Sequence, residues 1–115
     1  MSSINKKNFL QKLLLAVPEF KKIHEEESEY HNIGIHLILG DFKRLTEVAV
    51  KKKNDELLQR ITGFIIRCHD NSKDEVHNAI YVTFFENMNE ESLQYFLHRL
   101  PKEFAEKVKE FLVGK

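Results

Sequence analysis

The sequence predicts an all-α fold: a compact bundle of about six or seven short antiparallel helices in one domain spanning residues 1–115. Three observations carry that expectation. Apolar residues recur at helical spacing through most of the chain, and capping residues stand at the breaks between the stripes. Only four Gly and two Pro occur in 115 residues, so turns must be few and short. No stretch alternates apolar and polar residues over a convincing length; Ile80 to Phe85 is rich in β-formers but sits inside a helical pattern. Short loops make neighbouring helices antiparallel. Helix pairs from Ile35 onward would also suit stacked hairpins, although no sequence repeat accompanies them.

The first helix is read from Leu10, Leu13, Leu14 and Val17, which share one face. Pro18 interrupts and suits the first position of a second helix carrying Phe20, Ile23 and Tyr30. After Asn32 and Gly34, a third helix carries Ile35, Ile38, Leu39, Phe42, Leu45 and Ala49. Lys51, Lys52 and Lys53 fall at its C-terminal end, where cations favour the helix dipole. Asn54 caps the fourth helix, with Asp55 and Glu56 in its first turn. Its stripe of Leu57, Leu58, Ile61, Phe64, Ile65 and Cys68 is the cleanest in the chain.

Ser72-Lys73-Asp74-Glu75 fits a capping box for the fifth helix. Val76, Ala79, Ile80, Thr83 and Phe84, with Tyr81, Val82 and Phe85, leave that helix apolar around most of its circumference, which marks it as central. Asn89 caps a sixth helix containing Leu93, Phe96, Leu97 and Leu100. Pro101 opens a seventh with Phe104, Val108, Phe111 and Leu112.

Composition narrows the functional classes. Eighteen basic and 18 acidic residues give zero formal charge, which argues against a dedicated nucleic-acid binder. The longest near-continuous apolar run, Ile33 to Leu39, is too short to span a bilayer, and the N-terminus has no apolar signal core. A single cysteine precludes an internal disulfide and suits a reducing compartment. These features point to a soluble cytoplasmic protein, with neither membrane nor nucleic acid as its partner. They do not indicate an oligomeric state.

Reactive constellations are sparse. Cys68, His69 and Asp70 are consecutive, and neighbours on a helix point about 100° apart, so they make no ready triad. Cys68 also completes an apolar stripe, as a buried inert thiol does. None of the six histidines forms an HxxxH or HExxH pair, and Glu27 with His31 at a helix end is a weak metal motif. No glycine-rich phosphate loop or dinucleotide fingerprint is present, so no metal or other cofactor is expected. The basic residues Lys43, Arg44, Lys51, Lys52 and Lys53 are balanced by Asp41, Glu47, Asp55 and Glu56, as on a solvated face.

Three stretches carry a resemblance: His36-Leu37-Ile38-Leu39-Gly40-Asp41-Phe42, Asn54 to Cys68, and Val76 to Asn87. Together they resemble a bacterial family of small helical domains of uncharacterised function, with an HLxLGD helix and a VxNxIxVxFxE helix. The resemblance covers about Leu10 to Leu112 and singles out His36, Gly40, Asp41, Asn78 and Glu86. As structural positions, Gly40 would permit close helix packing, while Asn78 and Glu86 would satisfy buried backbone or helix ends. Such domains are similar to immunity proteins of polymorphic toxin systems. The resemblance therefore implies a non-catalytic binding module that occludes the active site of a cognate toxin. Glu25, Glu26, Glu27 and Glu29, or Glu86, Glu90 and Glu91, would supply an acidic face for a cationic partner. Two alternatives stand beside this one. The first is a small hydrolase or metal-dependent enzyme using His36, Asp41 and Glu86, and the second a nucleic-acid or anionic-surface binder using Lys51, Lys52 and Lys53.

Overall fold

The computed structural model describes residues 4–5, 7–26, 34–72 and 74–114, with the side chains at 24–26 and 74 outside the description. Its elements are α1 (Phe9–Ala16), α2 (Phe20–Glu26), α3 (Ile35–Lys51), α4 (Asp55–Asn71), α5 (Asp74–Ala79), α6 (Glu90–Leu97) and α7 (Lys102–Val113). A π-helical segment, Ile80–Phe85, continues α5 directly. The extents of 34 × 32 × 28 Å and the 13.3 Å radius of gyration are those of an equidimensional globule rather than an elongated stack of hairpins.

Expected caps account for several boundaries. Asn54 Oδ1 accepts from Leu57 N at 3.3 Å and Asn89 Oδ1 accepts from Ser92 N at 2.9 Å, each satisfying a donor that the helix start leaves open. Lys53, with φ of 57°, turns the chain between α3 and α4. Pro101 stands at the N-cap of α7, and Pro18 in the turn ahead of α2. At the expected capping box, Ser72 Oγ donates back to the Cys68 carbonyl in the last turn of α4, and Ile4 lies beside it in an isolated parallel bridge; Lys73 and the Asp74 side chain of that box lie outside the description. Tyr30, expected on the second helix, lies outside the described residues.

Phenylalanine builds the core. Phe42 of α3 lies 5.9 Å from Phe20, 6.1 Å from Phe64 and 5.6 Å from Phe84, joining α2, α4 and the π segment through one ring. Phe84, Phe85 and Phe96 pack mutually at 5.0–5.7 Å. These edge and tilted arrangements suit ring quadrupoles and add to the apolar burial. Along α1 and its C-cap the expected stripe faces inward, with Leu13 and Val17 buried and Leu10 and Leu14 packed against the core, and Phe9 joins it. The fifth helix is central as expected, but it shares that place with α3, which packs against α2, α4, α5, the π segment and α6.

The π segment has a packing logic. In an α-helix five residues advance 500°, which would leave Phe85 about 140° round from Ile80. The wider turn, marked by Glu86 N donating to Tyr81 O at 3.1 Å, lets Ile80, Phe84 and Phe85 all enter the core. Ile80, Val82 and Thr83 are β-branched and hold a regular helix less firmly than straight side chains do.

Candidate functional site

The π segment presents polar side chains on two sides, and the chemistry-bearing residues of the domain gather there. Toward α3 lies a stitched seam. His36, Gly40, Lys43 and Glu47 recur at four- and three-residue steps, on one stripe of α3. His36 Nδ1 shares a hydrogen bond with the Thr83 hydroxyl. Lys43 Nζ donates to the Asn87 carbonyl at 3.3 Å, and Asn89 N donates to Glu47 Oε2 at 2.7 Å. Four consecutive stripe positions thus follow the chain from the π segment to the α6 N-terminus. Lys43, which the sequence places in a solvated basic face, is a stitch here.

Gly40 is the surprise in this seam. A Cβ built on it would meet only Thr83 Cγ2, at 4.0 Å, so close helix approach is not what a glycine secures at this position. Asp41 points elsewhere, paired with Arg44. Asn78 is exposed on α5 rather than satisfying buried backbone, and Glu86 is half-buried. The trio His36, Asp41 and Glu86 therefore does not converge as a hydrolytic site needs. His36 engages Thr83, while Asp41 pairs on a face of α3 about 140° away.

Toward α4 and α7 lies a box of rings. His69, in the last turn of α4, stacks on Phe104 of α7 with centroids 3.8 Å apart and planes 15° apart. It also lies 4.6 Å from the His77 ring, and its Nε2 is 2.7 Å from the Tyr81 hydroxyl, a hydrogen bond. Tyr81 in turn sits 5.6 Å from Phe111. Burial, and then the neighbouring His77, push the His69 pKa down, whereas burial pushes Tyr81 up. Along the sequence His69 stands only beside Cys68 and Asp70. His77 and Tyr81, four apart, and Phe104 and Phe111, seven apart, were the signals that faced it.

Cys68 is buried, and its thiol is pushed up to about 12 by desolvation, which fits the inert reading. Among the described residues no group of three His, Cys, Asp or Glu side chains is placed to hold a metal ion. No described helix is long and apolar enough to cross a membrane. Arg60 forms a bidentate pair with Glu19, at 2.7 and 2.5 Å, tying α4 to the turn before α2 and holding the Glu19 carboxyl below its ordinary range.

The expected acidic residues fall in two places. Glu25 and Glu26 end α2 with side chains outside the description, and Glu27 and Glu29 lie outside the described residues. Glu90 and Glu91 are exposed in the first turn of α6, where the dipole favours them, and Glu90 Oε2 accepts from Gln94 at 2.7 Å. Glu91 lines a shallow cleft of about 330 Å³ between α4 and α6, shared with Lys53, Asp55, Tyr95 and Arg99.

The fold and its seam define a small all-α bundle domain organised around one π-bearing helix. Residues 10–113 match a family described as a domain of unknown function, DUF7674, and the chain belongs to that family. No curated protein and no solved structure gives a significant match to the chain.

Proposed function

We propose that this domain is a non-catalytic protein-binding module, and most concretely an immunity protein that neutralises a cognate bacterial toxin by covering its active site. The observation that carries the reading is the acidic edge at the start of α6. Glu90 and Glu91 are exposed there, and Glu47 of α3 is drawn to the same turn by the Asn89 backbone N–H. Three carboxylates from two rigid helices favour a cationic surface, such as the groove in which a nuclease holds phosphate. Such complementarity acts mainly on the association rate and on partner choice.

The resemblance of the HLxLGD and VxNxIxVxFxE stretches to immunity-like helical domains supplies the toxin half of the proposal. Mixing the purified domain with the product of the adjacent gene tests it. The expected result is a stable one-to-one complex, loss of the toxin's activity and protection of cells expressing that toxin. Absence of both binding and protection overturns the immunity reading.

A further inference from the structure

We propose that His69, His77 and Tyr81 form an acid-sensitive clasp that holds α7 on the bundle, and that protonation of His69 loosens α7. The clasp joins three parts of the chain at one point: His69 from the end of α4, His77 and Tyr81 from the central helix, and Phe104 from α7. Phe104 is buried, lies 5.9 Å from Phe85, and is one of the anchors of α7 along with Ala105 and Val108. What happens to the His69 ring is therefore felt directly by α7.

The neutral box has a consistent hydrogen-bond pattern. A neutral imidazole offers one acceptor and one donor. The Tyr81 hydroxyl donates to Nε2, leaving the Nδ1–H on the side of Asp70, whose carboxylate is 3.6 Å away. A second proton turns Nε2 into a donor. Tyr81 must then accept, and its own hydroxyl proton must find a new acceptor away from the Phe104 and Phe111 rings. The side chain of His69 is only 10% exposed, so water compensates little.

Charge reinforces the effect. A charged His69 sits 4.6 Å from the His77 ring, which disfavours the added proton, and Lys107 of α7 adds positive potential. Two groups oppose it. Asp70 attracts the imidazolium, but its side chain is 64% exposed and screened. The face of buried Phe104, stacked on the His69 ring, also attracts a cation. Against Asp70, burial and then His77 prevail, and the basicity of His69 is lowered.

Hydrogen exchange on the full chain at about pH 7.5 and about pH 5.5, corrected for intrinsic rates, tests the clasp. Amides of α7 should lose roughly tenfold protection per pH unit between the free and the bound imidazole pKa, while those of α3 lose less. His69→Phe keeps a ring on Phe104 without the proton and should abolish the selective loss. His77→Gln, at a half-exposed position that tolerates exchange, should reduce it. Protection of α7 that falls no more than that of α3 overturns the proposal. So does an undiminished pH response in both variants.

Discussion

The two sides of the central helix use hydrogen bonds under opposite conditions. Toward α3, His36 and Thr83 meet at an exposed position, and Lys43 and Glu47 reach backbone groups beyond the π turn. Water competes for each of these groups, so each stitch fixes direction more than it stabilises. Toward α7, His69 and Tyr81 meet among rings, where a lost partner is not replaced by water. The same kind of contact thus guides register on one side and is sensitive to chemistry on the other. Between them, Phe84 and Phe85 hold the helix in place whatever the polar groups do.

This contrast can be broken by substitution, starting from its apolar centre. Phe84→Ala removes the ring that joins Phe42, Phe85 and Phe96, and should cost about 3–5 kcal/mol in denaturant unfolding. Tyr81→Phe leaves His69 Nε2 without its partner in a mostly buried box and should cost roughly 1–3 kcal/mol. The substitution should also change the His69 titration followed by NMR. Gly40→Ala should raise stability by roughly 0.5–1 kcal/mol, because the new methyl meets only ordinary contact and a helix-interior glycine is lost. His36→Ala should shift stability by no more than about 0.5 kcal/mol, as expected of an exposed stitch. A large loss at His36 with none at Tyr81 would reverse the comparison.

Acid should separate the sides as well. His69 is less basic in the fold than its free value of 6.5, so as pH falls below that value the unfolded chain takes up a proton that the folded chain resists. Stability should therefore be full above about pH 6.5 and decline as pH drops toward the folded pKa. Denaturant midpoints measured across that range check the sign, and His69→Phe should flatten the curve.

The helices themselves were legible because caps and stripes are local. Asn54, Asn89 and Pro101 mark boundaries within a residue or two of where the helices begin, and Cys68 reads correctly as the end of a buried stripe. The π turn was not legible, since widening answers to the joint burial of Ile80, Phe84 and Phe85, a tertiary demand. The bond from Ser72 Oγ to the Cys68 carbonyl is not legible from the local pattern, because a hydroxyl that can accept at the start of one helix can also donate to the end of another. Site residues were legible only in part. His36 and Gly40 do sit together on the seam, yet Thr83, the partner of His36, and Asn87, the partner of Lys43, come from more than forty positions along the chain. The ring box needed three helices to assemble, and spacing within any one of them showed only a pair.

The acidic edge at α6 is the feature on which the functional proposal turns, and association kinetics test it most directly. Binding of the adjacent gene's product should be measured by stopped flow for the native chain and for a Glu90→Lys, Glu91→Lys variant, across a salt series. The expected result is an association rate reduced by about tenfold or more at low salt and converging as salt rises, with only a modest fall in melting temperature from the lost helix-dipole contacts. An association rate that is the same for both proteins at every salt concentration would contradict the proposal that this edge meets the partner.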